Sequence, residues 1–308
     1  MAMLRRRNGR SLRLASGLYA CMWATTWLLG WDPLSVSPHG PIQEMKACWA
    51  APASSKCSPL PRAAIFPPAG RLQDAAERPR LRLLPGAVKL PMVSAMTITK
   101  NGRAQMLDIA LTSFRLQTYP SKEVVVVYDS DNVAAAELVR RHAAEAAREG
   151  NGTRVKGVVN SIGTKATLGE LRNAAVAATQ GELLIQWDDD DWYSAERIEM
   201  QYRALVHMDA SACLLARYTF FEMATGLLWL NRNDEPAGTI LATRKVFTKT
   251  KYHAARLSED SVFSSVAKQR SRFVTLDDPS VYIRVIHSAN SWDRRHFLNF
   301  CASRTTAP

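Results

Sequence analysis

Four consecutive aspartates, Asp188 to Asp191, stand between Trp187 and Trp192 at the end of the apolar run Leu183-Leu184-Ile185-Gln186-Trp187. Carboxylates packed this closely repel one another, and two of them about 4 Å apart cost roughly 4 kcal/mol at an effective dielectric of 20. A hard divalent cation held by oxygen ligands removes that cost, and it acts as a Lewis acid toward a departing anionic group. Downstream, Ser258-Glu259-Asp260 offers carboxylates for proton abstraction, and His287 offers a nitrogen that can bind a metal or simply pack. Acidic runs are usually solvated loops, but those are not normally bracketed by tryptophans or fed by a buried strand. An EF-hand loop fits Asp188, Asp190 and Glu199 at positions 1, 3 and 12. It fails in the middle, where Trp192 stands at position 5 and Tyr193 where the turn demands glycine.

The elements that must position these groups alternate from Pro91 onward. Met92 to Ile98 reads as a strand, Ala104 to Gln117 as a helix and Glu123 to Tyr128 as an almost pure valine strand, which together make a βαβ unit with a buried parallel sheet. Helix Ala134 to Arg148, strand Arg154 to Val159 and a helix capped by Thr167 and running to Thr179 follow. The strand Glu182 to Trp187 then emits the acidic run where an open α/β sheet binds its ligands. Ser194 is the expected cap of helix Ala195 to Met208, and strands are expected at Ala212 to Phe221 and Leu227 to Leu230, around the turn Ala224-Thr225-Gly226. A helix Ser261 to Gln269 capped by Ser258 and a strand Ser280 to Ile286 complete the pattern.

Composition sets limits on function. Residues 1–90 carry 13 Lys+Arg against 4 Asp+Glu, whereas 91–308 carry 27 against 24, so the basic character belongs to the leader and nucleic-acid binding is not indicated for the domain. Eleven of the 15 prolines also lie in 1–91, which predicts a poorly ordered leader over 1–90 and a domain over 91–303. Within the leader, Arg5, Arg6, Arg7, Arg10 and Arg13 precede the uncharged stretch Leu14 to Trp31, a candidate signal anchor at 14–31 that is short and diluted for a membrane span. A translation start at Met92 is the competing reading. The five cysteines form no CxxC pair and leave an odd thiol, which favours a reducing, cytoplasmic setting, with membrane association available through the leader.

The order Thr97-Ile98-Thr99-Lys100-Asn101-Gly102-Arg103, Val127-Tyr128-Asp129-Ser130-Asp131, Leu171-Arg172-Asn173, Asp188 to Asp191 and Ser258-Glu259-Asp260 resembles the family 2 glycosyltransferases of the GT-A fold, over about 91–300. The resemblance implies a Rossmann-like three-layer α/β/α sandwich with a mixed, mainly parallel sheet. It also implies an inverting transfer from a nucleotide-sugar donor, expected to be UDP-linked, to a glycan or lipid-linked acceptor, in surface polysaccharide or glycan synthesis. On that basis Thr99, Arg103, Asp129, Asp131, Arg172, Asp188 and Asp189 are donor-binding candidates, Asp129 accepting an N–H of the base. Asp188-Asp189-Asp190 maps as the DxD signature, with Asp190, Asp188 and His287 as ligands of Mn2+ or Mg2+. Extended geometry sends Asp188 and Asp190 to one side and Asp189 to the other.

Asp260 maps to the catalytic base, with Glu259 beside it. Bland alternatives stand next to several of these assignments. Asp129 is equally suited to an Asx-turn, Arg172 to an exposed helical site, and Glu259 and Asp260 to the first turn of a helix, where acids are favoured. Arg244 is a weak candidate for a phosphate contact, and Asn290-Ser291-Trp292 for the acceptor cleft. No QxxRW motif follows Asp260, which argues for one sugar per encounter rather than processive synthesis. A nucleotidyltransferase would want a glycine-rich loop after the first strand, and Thr99 to Arg103 holds one glycine. A transferase that has lost activity and only binds sugar or a partner is the other rival, against which Asp190 and Asp260 both speak.

Overall fold

The structure, a computed structural model, describes residues 3–6, 11–13, 90–231, 235–292 and 294–298. By internal contacts the chain divides into two units, one of residues 1–14, 90–220 and 229–308 and one of residues 15–89 and 221–228. Of the second unit, residues 221–228 are described. The candidate anchor at 14–31 lies outside the described residues.

The chain begins with β1 (Met3–Arg6) and β2 (Ser11–Arg13), and the domain proper with β3 (Val93–Ile98), α1 (Ala104–Arg115), β4 (Lys122–Tyr128), α2 (Val133–Glu149) and β5 (Arg154–Val159). Next come α3 (Leu168–Ala178), β6 (Leu183–Gln186), β7 (Trp192–Tyr193), α4 (Arg197–His207), β8 (Ala212–Leu215), β9 (Thr219–Glu222) and β10 (Leu227–Leu230). The last elements are β11 (Leu241–Thr243), α5 (Arg244–Lys249), α6 (Glu259–Arg270), β12 (Phe273–Asp277), β13 (Tyr282–Ile286) and α7 (Arg294–Leu298). The main sheet runs β2-β1-β12-β8-β11-β6-β3-β4-β5. Strands β6, β3, β4 and β5 are mutually parallel, as are β12 and β8, while β11 is antiparallel to both β6 and β8. This is the mixed, mainly parallel α/β architecture that the alternation of patterns predicts.

Local chemistry explains the element ends. Asn132 accepts from the Ala135 N–H at 3.1 Å to start α2, and Gly150 ends it in the left-handed conformation at φ 61°. Thr167 and Glu170 form a reciprocal capping box at the start of α3. The valines of β4 have no exposed face because helices cover both sides of a parallel sheet, and Val124 to Val127 are all buried.

Several expectations are corrected. Ser194 does not cap α4, which starts at Arg197, and Ser258 makes no side-chain cap of α6 but sits before it in the left-handed region at φ 61°. The expected strand Ala212 to Phe221 is two strands, broken at residues 216–218. Strands β11 and β12 and helix α5 were not marked by periodicity. At the outer edge of the sheet β1 pairs antiparallel with β12 and β2 with β1. Among the described residues no helix is long and apolar enough to cross a membrane.

Candidate active site

The acidic turn leaves the C-terminal end of β6 and is clamped at both ends by aromatic packing. Trp187 is fully buried, donates its indole N–H to the Ala110 carbonyl at 3.1 Å and meets Phe114 edge-on. Tyr193 packs against Trp187 with ring centroids 3.8 Å apart, and the buried guanidinium of Arg197 lies over both rings and over Tyr282. Burying a tryptophan is worth about 4–6 kcal/mol by area, more than the repulsion of one carboxylate pair, so the anchors hold the turn in place.

Between these anchors the four carboxylates separate. Asp188 accepts from Arg172 Nη2 at 3.1 Å and from Gln186 Nε2 at 3.3 Å. Asp189 and Asp190 share one nitrogen, Arg103 Nη1, at 2.7 and 2.9 Å. Asp191 is 3% exposed and turns inward, accepting from the Tyr282 hydroxyl and from the Val285 N–H at 2.9 Å. The alternation expected of an extended chain is therefore absent, because the strand ends at Gln186 and residues 189–190 form a turn that brings Asp189 and Asp190 to the same cation.

The electrostatics follow the burial. Desolvation, with the charge of Asp190, pushes the carboxyl of Asp189 up to about 7 and that of Asp191 up to about 8. Burial would also raise Asp190, but the His287 hydrogen bond and the Arg103 charge outweigh it and hold Asp190 well below the usual carboxylate range. Asp190 is thus held ionised, while burial opposes ionisation of Asp189 and Asp191. Desolvation works against the charge of Arg103, yet Asp190 and Asp189 win and keep it firmly protonated.

The second carboxylate pair arrives from α6. Arg172, on α3 and buried rather than exposed, donates Nε to Glu259 at 2.8 Å while its Nη2 holds Asp188, so one guanidinium ties the acidic turn to the start of α6. Burial raises the Glu259 carboxyl against the opposing pull of Arg172. Glu259 is 3% exposed and Asp260 only half-buried, so Asp260 is the carboxylate of the two that meets the surface. Gly238 marks where the two halves meet: a Cβ added there would lie 3.5 Å from Asp260 Oδ2, 3.7 Å from Asp188 Oδ2 and 3.1 Å from Gln186 Nε2. Two carboxylates from distant elements therefore face one point of backbone.

The remaining candidates fall around this centre. Thr99 is buried and donates its N–H to the Val127 carbonyl at 3.0 Å. Asp129 accepts from Asn160 Nδ2 at 2.7 Å, while its backbone carbonyl, rather than the side chain of an Asx-turn, accepts the Asn132 N–H. Asp131 is exposed and accepts from Asn101 Nδ2 at 3.1 Å. His287 stands 3.2 Å from Asp190 through Nε2, while its Nδ1 faces the Ala289 N–H at 3.1 Å. Nδ1 is then the acceptor, so the neutral ring carries its proton on Nε2 and donates to Asp190. Asn290 joins the same carboxylate at 3.4 Å, whereas Trp292 stacks on His296.

Arg244 is corrected. It donates to the Gly181 carbonyl at 2.8 Å and to Thr179 at 3.1 Å, at the opposite end of β6 from the aspartates, and is not at the site. Sequence reasoning missed Asn160, Gln186 and Gly238. A polar residue directly after β5 was a readable signal for Asn160, but nothing local marks the other two.

The match of residues 94–275 to the model of glycosyl transferase family 2 covers more than half of the chain and the elements that carry the aspartates, Arg103, Arg172 and Asp260, and ends before β13 and His287. The chain belongs to glycosyl transferase family 2. Solved structures agree on the fold of this family member. S. aureus TarS superposes at a TM-score of 0.50 with 18% identity, over 63% of this chain and 37% of TarS. The TarS 1–349 fragment solved in complex with UDP-GlcNAc gives 0.51 with 17% identity, over 65% of this chain and 60% of the fragment. The chain thus spans well under two thirds of TarS. Comparison with curated proteins finds no match.

Proposed function

We propose that this family 2 member is an inverting, non-processive glycosyltransferase that moves a sugar from a UDP-linked donor to an acceptor hydroxyl on a glycan or lipid-linked substrate, in surface polysaccharide or glycan synthesis. The observation that carries the reading is the convergence of Asp188 and Asp260 on Gly238. A donor-side carboxylate and a surface-reaching carboxylate face one space, as a transfer between two substrates requires.

Each residue then has a task. Asp129, its Oδ1 fixed by Asn160, accepts an N–H of the base, and Thr99 lines the same end of the sheet. Asp188 receives the ribose, oriented by Arg172. Asp260 takes the acceptor proton as the new C–O bond forms at the anomeric carbon, on the face opposite the leaving diphosphate, which inverts that centre. Glu259, bound to Arg172, positions Asp260 rather than reacting.

A divalent cation suits the donor set. The carboxylate oxygens of Asp188 and Asp190 are hard ligands, and His287 lies beside Asp190, although among the described residues no three such side chains are already gathered as a cluster. Asp190, Asp188 and His287 would hold Mn2+ or Mg2+, His287 through Nε2 in the neutral tautomer that carries the ring proton on Nδ1 instead. When bound, the ion supplies electrostatic stabilisation of the leaving nucleoside diphosphate.

The test is a panel of nucleotide sugars assayed for release of nucleoside diphosphate with and without Mn2+. Mn2+-dependent release from a UDP-sugar, lost in Asp190→Asn, is expected. Release from no donor under any condition, with normal folding, would favour a binding protein instead.

A further inference from the structure

Asp188 pairs with the Arg172 guanidinium and Asp191 with the Tyr282 hydroxyl and the Val285 N–H, whereas Asp189 and Asp190 share one nitrogen of Arg103, Asp190 also accepting from His287 and Asn290. The other end of that guanidinium is fastened, Nη2 donating to the Ala289 carbonyl two residues beyond His287 at 2.5 Å. The Arg103 side chain is 10% exposed, so this is a buried cation spanning three acceptors from two loops. Of the two aspartates, Asp189 is the closer to Nη1 and its side chain is 2% exposed, whereas that of Asp190 is 13% exposed.

We propose that Arg103 is the internal counter-cation of the acidic turn, and that a divalent cation binds by taking Asp190 away from it. This rests on the reading above that Asp190 is a metal ligand. Arg103 Nη1 and an incoming ion both need Asp190, and two cations on one buried carboxylate repel. The contact to Asp189 and the Ala289 carbonyl keeps the guanidinium in place when Asp190 is released, so the turn stays folded in both states. Arg103 therefore lets the protein fold around four aspartates without metal, at the cost of weaker metal binding. It is a positioning residue that sets how much Mn2+ the site demands.

Calorimetric titration of MnCl2 into the full-length protein, with no nucleotide present, tests this on wild type, Arg103→Gln and Asp190→Asn. Arg103→Gln is expected to bind Mn2+ roughly tenfold more tightly, the scale of one charge-assisted hydrogen bond lost by the competitor. Its Tm without metal should fall below that of wild type, and saturating Mn2+ should narrow the gap. Unchanged or weaker binding in Arg103→Gln, with Asp190→Asn still abolishing it, overturns the proposal and leaves Asp190 as a ligand. Binding that Asp190→Asn does not weaken, or no binding by wild type and Arg103→Gln alike, removes the ligand assignment and the proposal with it. Should Arg103→Gln fail to fold, Arg103→Lys keeps the charge but loses the fork that spans all three acceptors. That variant is expected to bind Mn2+ about threefold more tightly than wild type, and equal or weaker binding again overturns the proposal.

Discussion

Asp191 has the same side chain as the three residues before it and the opposite orientation, since it reaches into the protein to hold Tyr282 and the backbone of β13. Removing it strands a buried hydroxyl and a buried N–H, each worth roughly 1–3 kcal/mol when left unpaired. Asp191→Ala should therefore lose about 2–4 kcal/mol in urea unfolding. Asp190→Ala should lose less than half as much, because it also relieves repulsion within the turn. The reverse order would mean that the inward hydrogen bonds of Asp191 do not matter to the fold. The sequence could not separate these roles, because the aspartates are identical in type and the period-2 rule that sorts strand residues stops applying at Gln186. The resemblance assigned Asp188 and Asp190 by position in a motif. What it could not supply is that Arg103 binds two of the four, since their sequence separation is bridged only in the folded sheet.

At the scale of elements, the placing of Asp260 depends on how closely the segment before α6 lies on α3. Gly169 shows how closely: a Cβ there would stand 1.8 Å from the His253 carbonyl oxygen, and the Gly169 N–H already donates to Ala255 at 3.1 Å. Asn173 holds the same segment by exchanging two hydrogen bonds with the Tyr252 backbone. Gly169→Ala gains roughly 0.5–1 kcal/mol of helix propensity, yet a backbone clash of this kind cannot be absorbed by a rotamer change and should win. The variant is expected to melt at lower temperature and to lose sugar transfer more than it loses UDP binding, because the loop and Asp260 move while the β3–β4 end stays. A higher Tm with intact transfer would show that the segment is free to shift. The strongly patterned elements, such as the valine strand β4 and the capped helices α2 and α3, were legible from sequence because their signals are local. Strand β11 was not, since its residues Leu241 and Ala242 are both buried and three residues carry no period. The caps at Ser194 and Ser258 failed for a related reason: serine favours a cap only where the backbone turns suitably, and at Ser258 it turns into the left-handed region, where a cap's extended geometry is lost.

At the scale of the whole molecule, the parallel strands β6, β3, β4 and β5 bring their C-terminal ends to one edge, so Thr99, Asp129, Asn160 and the aspartates gather there although the chain visits them in separate βα units. The antiparallel β11 and the turn before it return Gly238 to the same edge and close it against α6. In the proposed function labour is divided, with the acidic turn holding the donor and Asp260 taking the acceptor proton. Asp260→Asn keeps shape and polarity but removes the basic lone pair. UDP affinity by calorimetry in the presence of Mn2+ and the rate of sugar transfer should be measured side by side on this variant and wild type. Affinity within about twofold of wild type and a rate lower by roughly 10²–10⁴, the usual contribution of a positioned base, are expected. Transfer at the wild-type rate, or a rate lost only because UDP no longer binds, would contradict this division of labour.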